Sequence, residues 1–319
     1  MINWLRTHEA RGRAVHIGLG FAGLTALVSG FSVFLNASAV RSVGDPVLFT
    51  TLKNGVAAVI LLALAMAFVP RAGATVRGLD RRSVLGLVAL GVIGGSIPFV
   101  LFFTGLAQAS APAAAVIHKT LFIWVALLAV VLLRERLGMW QLAALAVLLL
   151  SQVLITPPDG ITWTSGETMI ALATGMWAVE VMIAKRVLAG VPSPIAAASR
   201  MGIGLVLLAG YLVATGGLGG IGGLGLEQWG WVLGTGLLLS AYVATWYAAL
   251  RRAPATAVTA ILTVAAPITA SLQLIANGQV PATPAVAGYA GTLLAGLVVA
   301  WLALRHVSAT PTSDRLAQA

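Results

Sequence analysis

Ten separate stretches of this chain are apolar over a length that reaches across a lipid bilayer. A crossing helix needs about 20 predominantly apolar residues, because the hydrocarbon core is about 30 Å thick and each helical residue advances about 1.5 Å. The stretches lie at about 17–40, 47–68, 83–106, 110–133, 138–156, 168–187, 195–214, 228–250, 256–276 and 284–304, here spans 1 to 10. The connections hold polar and turn-forming residues, such as Pro157-Pro158-Asp159-Gly160 and the glycine-rich run 216–225. Charged residues make up 9% of the 319 residues and hydrophobic ones 59%, against about 25% charged in a soluble domain. No soluble fold of this size has interior enough for that apolar surface, so a polytopic membrane protein is expected.

The net charge of +10 would suit a nucleic-acid partner, but its placement points to membrane topology. Arg6, Arg11 and Arg13 precede span 1. Arg71, Arg77, Arg81 and Arg82 follow span 2, Arg134 and Arg136 follow span 4, and Lys185 and Arg186 follow span 6. Arg251 and Arg252 follow span 8, and Arg305 and Arg315 follow span 10. With an even span count these 15 of the 19 Lys and Arg residues share one side, the other side keeps Arg41, and Lys53, Lys119 and Arg200 fall inside spans. Positive residues stay cytoplasmic, so both termini are expected inside, with the chain multi-pass in a cell (inner) membrane. Residues 1–16 lack a small-residue cleavage site, so span 1 is expected to be retained. Cysteine is absent, which excludes disulfides and Cys-metal sites.

The chain also repeats itself at an offset of 144 residues. Phe102 and Phe103 fall on Trp246 and Tyr247, Asn36 on Glu180, and Arg41 on Lys185. Ala111, Ala113 and Ile117 fall on Ala255, Ala257 and Ile261, and Lys53 falls near Arg200 after a three-residue insertion. Each half holds five spans, an odd number, so the halves insert in opposite orientation. Inverted repeats of this kind mark transporters, whose site lies near the midplane between the repeats. The expected fold is an all-α integral membrane protein of ten transmembrane helices in two inverted five-helix repeats. Its parts are a cytoplasmic N-terminal segment 1–16, a first repeat 17–156, an extracytoplasmic linker 157–167, a second repeat 168–304 and a cytoplasmic tail 305–319.

Polar residues inside spans are costly and default to functional sites. Lys119, with His118 beside it, sits mid-span in span 4, about 15 Å from each interface and too deep for easy snorkelling. Its repeat counterpart is Thr263, so the scaffold does not require the charge. Lys119 is read as facing the cavity to attract a carboxylate, or as paired with Glu180; His118 binds, carries a proton or packs. Glu180 in span 6 and Asn36 in span 1 occupy equivalent places in opposite halves of the bilayer. A carboxylate at 180 binds an amine, carries a proton, or pairs with Lys119 or the Lys185-Arg186 loop. Lys53 and Arg200 lie near span ends and are read as snorkelling anchors or gate residues.

Aromatic residues form the third group: Phe99, Phe102 and Phe103 in span 3, Phe122 and Trp124 in span 4, Trp177 in span 6, and Tyr242, Trp246 and Tyr247 in span 8. Residues three or four apart share a helix face. Such a lining suits a planar apolar substrate or a cation over ring faces, and equally suits ring packing or lipid contact. Trp140, Trp163, Trp229, Trp231 and Trp301 fit an interfacial belt. Pro98 and Pro267 free carbonyls within spans 3 and 9. Gly91-x-x-x-Gly95 and Gly230-x-x-x-Gly234 permit close helix packing. The GxGxxG string at 217–222 has no βαβ unit around it, and Asn36-Ala-Ser38 spells a glycosylation sequon inside a span.

These motifs resemble the EamA family of the drug/metabolite transporter superfamily over residues 17–304. The carrying features are the small-residue opening of span 4, Ala111-Pro112-Ala113-Ala114-Ala115, its close at Leu133-Arg134-Glu135-Arg136, and the second copy at Ala253-Pro254-Ala255-Thr256-Ala257. The second copy departs by carrying Gln279 where the first has Glu135. The resemblance implies a central cavity built by spans 1–4 and 6–9, with spans 5 and 10 peripheral. His118 and Lys119 with the aromatic bundle make the chain most similar to bacterial aromatic amino acid exporters of that family. The expected function is secondary export of small organic solutes, aromatic amino acids first and other metabolites or drugs second, by alternating access. The expected binding residues are Lys119, His118, Asn36, Glu180, Trp177, Phe99, Phe102, Tyr242, Trp246 and Phe122. No cofactor or metal and no nucleic-acid partner is expected; the partners are a small-molecule substrate and the lipid bilayer, for a monomer. An enzyme would need a nucleophile, paired carboxylates or a metal cluster, and an ATP-driven pump a nucleotide-binding loop. A channel would need rings of like residues from an oligomer. The sequence offers none of these.

Overall fold

The computed structural model describes residues 2–106, 108–109, 111–157 and 163–308, and over these the chain is helical with no strand. Span 1 is α1 (Ile2–Val43) and span 2 is α2 (Pro46–Phe68), followed by the short α3 (Ala72–Arg77). Span 3 is α4 (Arg81–Ala89) and α5 (Ile97–Leu106), joined by one π-helical turn at Leu90–Gly94. Span 4 is α6 (Ala111–Lys119) and α7 (Leu121–Leu132), and span 5 is α8 (Met139–Ile155). Spans 6, 7 and 8 are α9 (Ser165–Val187), α10 (Ser193–Thr215) and α11 (Leu226–Arg252). Span 9 is α12 (Ala255–Leu262) and α13 (Ala265–Asn277), and span 10 is α14 (Thr283–Ser308).

Among the described residues nine units are long and apolar enough to cross a membrane; the tenth, α8, has 17 residues, about 25 Å of helix. Two boundaries differ from the sequence reading. Helix α1 begins at Ile2 rather than near residue 17, so its 42 residues extend about 63 Å, twice what the hydrocarbon needs. Helix α9 starts at Ser165, not 168, because Thr164 and Glu167 form a capping box that satisfies donors at the helix start. The tail beyond 308 and the centre of the 157–167 linker lie outside the described residues.

The helix ends explain the connections. Asp45 accepts hydrogen bonds from the backbone N–H groups of Val47 (2.8 Å) and Leu48 (3.1 Å), with Pro46 at the first helical position, where its missing N–H costs nothing. The 217–222 glycine string is a 3₁₀ turn. Arg134 and Gly278, 144 residues apart, both take a left-handed conformation, at φ +56° and +65°. That conformation is cheap for glycine and costs about 1–2 kcal/mol for another residue.

The repeat is visible in the breaks as well. Span 4 breaks at Thr120 and span 9 at Thr263-Val264, so the interruptions fall on equivalent places. Pro267 removes the N–H that would bond the carbonyl four residues earlier, at Thr263. Pairing follows the same symmetry: α1 packs on α11 and α9 on α5, while α2 packs on α10. Helix α8 lies along α14, its main neighbour, with Gln152 Nε2 donating to Thr292 Oγ1 at 3.3 Å. Gly91 and Gly95 meet α10: a Cβ at Gly95 would stand 2.3 Å from the Arg200 carbonyl oxygen. Gly230 and Gly234, by contrast, face open space and pack nothing.

Connectivity places the N-terminus, the loops after spans 2, 4, 6 and 8, and the end of α14 at one end of the bundle, here the basic face.

Candidate functional site

Three polar and aromatic groups occupy the bundle interior. The first lies about 10 Å inside the basic face. Arg200 on α10 is 6% exposed and Glu180 on α9 is 2% exposed. The guanidinium Nε stands 3.6 Å from Glu180 Oε1. Tyr247 of α11, fully buried, donates its hydroxyl to the same Oε1 at 2.5 Å. Arg200 Nη2 donates to the Gly94 carbonyl at 2.9 Å, and Trp177 Nε1 donates there at 3.3 Å.

That carbonyl is free for a local reason. In an α-helix its donor would be the N–H four residues on. That residue is Pro98, which has none, and the π-turn ends at this point. Gly94 must also be glycine, since a Cβ would fall 2.6 Å from Glu180 Cγ and 2.8 Å from Arg200 Nε. The cluster ties spans 3, 6, 7 and 8 together.

This corrects two expectations. Arg200 does not snorkel as a near-surface anchor; it is the partner of Glu180. Glu180 pairs with neither Lys119 nor the Lys185-Arg186 loop among the described residues. Lys185 instead donates to the Leu250 (2.7 Å) and Ala253 (2.9 Å) carbonyls, closing the end of α11. A charged pair is stable in a dry interior only with such added hydrogen bonds.

The second group is a cluster of rings between spans 3, 4 and 6. Trp177 meets Phe99 at 5.4 Å, Phe102 at 5.5 Å and His118 at 5.1 Å between centroids. His118 meets Phe102 at 5.1 Å, and Phe103 stands 5.6 Å from Phe102. These separations fall in the attractive range for aromatic pairs. His118 Nδ1 is buried without a hydrogen-bond partner among the described residues. Tyr242 and Trp246 of α11 stack separately at 6.0 Å. Phe122 is 3% exposed within the main apolar core, among Val125 and Ala129 rather than in the ring cluster. Trp124 is 49% exposed on the outside and donates to Thr120 Oγ1 at 3.1 Å, so it lines no interior site.

Lys119 diverges from its neighbour. It donates to Thr156 Oγ1 at 3.3 Å, beyond the last turn of α8, while His118 packs on the rings.

The third group lies in the half of the bundle away from the basic face. Lys53 is 6% exposed and Asn54 fully buried. The Lys53 ammonium stands 4.9 Å from the Phe49 ring centroid, without a carboxylate partner among the described residues. Both polar atoms of the Asn54 amide, Thr50 Oγ1 and Asn36 Oδ1 are buried without a hydrogen-bond partner among the described residues. An unsatisfied buried polar group costs about 1–3 kcal/mol. Asn36 Nδ2 donates to Ser32 Oγ at 3.1 Å. The sequence reading gave Lys53 the same snorkelling role as Arg200, and burial removes it here too. Neutral polar residues are common in spans, so type alone does not mark Asn54 and Thr50; the available signal is that Thr50 stands three residues before Lys53 and four before Asn54.

At the basic face, Glu135 does more than mark a span end. Its carboxylate accepts from the N–H of Ala255 (2.7 Å) and Thr256 (3.2 Å) and from Thr256 Oγ1 (2.8 Å). The first repeat thus caps α12 of the second, a favourable place for a negative charge. The left-handed Arg134 turns Glu135 toward it. A cavity of about 530 Å³ lies here, lined among others by Glu135, Arg136, Lys185, Arg252 and Thr256. A smaller one of about 200 Å³ lies at the other end, lined by Phe34, Ser38, Arg41, Gln273, Asn277 and Gln279.

The EamA-like transporter family matches the chain twice, over residues 16–156 and 164–302, one match per repeat. No curated protein matches the chain. Of 29 solved chains that match, one, described as a crystal structure of a protein, aligns with a TM-score of 0.69 at 18% identity, covering 89% of this chain and 98% of its own. At that identity the likeness speaks for the fold. Two family matches that together take in both five-helix halves carry more: the chain belongs to the EamA-like transporter family, membrane transporters of small solutes.

Proposed function

We propose that this protein is a secondary exporter of small organic solutes, with aromatic amino acids as its substrates. It works by alternating access in a bacterial inner membrane with both termini cytoplasmic, as the basic face suggests. The observation that carries the substrate class is the ring cluster of Phe99, Phe102, Phe103, His118 and Trp177. It joins both repeats at the depth where a transporter of this architecture holds its substrate. A planar side chain replaces one ring contact with another of similar energy, so the cluster opens for an aromatic guest at little cost. Asn36, whose Oδ1 lacks a donor, accepts from the substrate amine. The carboxylate meets a buried lysine: Lys119, held by Thr156, or Lys53, which has no acid partner among the described residues. Glu180 is engaged by Arg200 and Tyr247 and serves the scaffold.

The test is uptake of labelled phenylalanine, tyrosine and tryptophan into proteoliposomes, with and without a pH gradient. Saturable uptake that falls at least tenfold in Trp177→Ala is expected. Uptake indistinguishable from empty liposomes sinks the reading.

A further inference from the structure

The two repeats place the same kind of residue pair at equivalent depths and then treat it in opposite ways. In the second repeat the position in span 6 is Glu180, and the cation of span 7, Arg200, stands 3.6 Å from it. In the first repeat the equivalent position in span 1 is Asn36, and the cation of span 2 is Lys53. The acid is missing from one copy, yet the cation remains.

A buried ammonium without a counter-charge is costly in a membrane interior. The Phe49 ring, 4.9 Å from the ammonium, relieves part of that cost, and no carboxylate among the described residues relieves the rest. Thr50, Lys53 and Asn54 are all buried on α2, and Thr50 stands three residues before Lys53 and four before Asn54, so it neighbours both along the helix. Thr50 Oγ1 and both amide atoms of Asn54 have no hydrogen-bond partner, and the Asn36 amide oxygen has none. Four of the six buried side-chain atoms in this condition among the described residues belong to these three neutral residues. A cation flanked by an amide N–H₂ and a hydroxyl is a set of donors, and it suits an anion with two or three acceptor oxygens.

We propose that Lys53, Asn54 and Thr50 form the binding subsite for the carboxylate of the transported solute, and that Lys119 does not. The first repeat supplies this subsite because its built-in acid is gone. The substrate's carboxylate takes the place that Glu180 holds in the second repeat. Lys119 already has Thr156 Oγ1 as an acceptor. This assignment rests on the transporter reading for its biological meaning, but the binding claim is separable from it.

The experiment is thermal stabilisation of the purified full chain in detergent by three probes. Phenylpropionate has the ring and the carboxylate without the amine, phenethylamine has the ring and the amine without the carboxylate, and chloride is a bare anion. Phenylpropionate should raise the Tm of the wild type more than chloride does at equal ionic strength. Lys53→Gln should weaken its apparent affinity at least tenfold and leave phenethylamine unchanged. Asn54→Leu, of similar volume, carries the same test with at least a threefold loss, should Lys53→Gln fail to fold. Equal phenylpropionate affinity in these variants and wild type overturns the proposal, as does a larger loss in Lys119→Ala than in Lys53→Gln. A chloride shift as large as that of phenylpropionate overturns the substrate-carboxylate assignment. If phenylpropionate binds through Lys53 but no aromatic amino acid is transported, the exporter reading falls and the subsite stands.

Discussion

Glu180 and Arg200 in one repeat and Asn36 and Lys53 in the other stand at equivalent positions and are put to different uses. The first is closed: its cation has a carboxylate and a carbonyl as partners, and that carboxylate also accepts from the Tyr247 hydroxyl. The second is open: its cation has a ring beneath it, and the next residue, Asn54, has an amide with unused hydrogen bonds. A symmetric scaffold can thus hold a stability element and a binding element at mirror depths, because a single change from acid to amide decides whether the buried cation is already neutralised.

The strongest way to break this comparison is to open the closed pair. Glu180→Gln leaves Arg200 buried without its counter-charge, which costs about 3–5 kcal/mol in measured cases. A large drop in Tm in detergent is expected, and a second change, Arg200→Met, should restore much of it. An unshifted Tm in Glu180→Gln would show that the pair carries no structural burden. The reverse operation sharpens the contrast: Asn36→Glu supplies the first repeat with the acid it lacks. This variant should be at least as stable as the wild type, yet lose at least tenfold in transport, because its own carboxylate competes with the substrate's. Tyr247→Phe removes one hydrogen bond to a charged group, worth about 1.5–3 kcal/mol, and should lower Tm without changing substrate preference.

A smaller effect is expected at the basic face. Glu135→Gln weakens the cap on α12 by about 1 kcal/mol, read as a modest Tm decrease. The smallest belongs to Asp80, the exposed cap of α4. Its hydrogen bonds with Ser83 hold the carboxyl below its ordinary value of 3.8. A depressed folded-state value stabilises above the ordinary value, and the gain disappears as pH falls through the depressed one. Asp80→Ala should therefore lower Tm slightly at pH 7 and not at all at pH 2.

Much of this was readable in the letters. The equivalence of Asn36 with Glu180 and of span 4 with span 9 came from the offset alone, and that of Lys53 with Arg200 from the offset plus a three-residue insertion. That Arg200 reaches Glu180 did not, because one-dimensional depth made both cations look able to reach an interface. Burial on the inward side of α10 and the carbonyl released by Pro98 decided otherwise. Lys119 and His118 looked like one polar pair, since neighbours in sequence share a depth. On a helix they point about 100° apart, which sends one to the rings and the other to Thr156. Phe122 and Trp124 were grouped with the cavity aromatics on type alone, and their faces put one in the core and the other outside.

By itself, then, the sequence determined that the chain crosses the membrane about ten times, with its cations gathered on one face and two halves in opposite orientation. Those properties follow from the solvent: lipid demands long apolar helices and penalises charge by its depth, which the sequence position alone gives. Which buried charges are neutralised within the fold and which await a partner was decided by the tertiary structure. That depends on helix rotation and on distances of a few ångströms between residues far apart in the chain, and hydropathy carries no record of either.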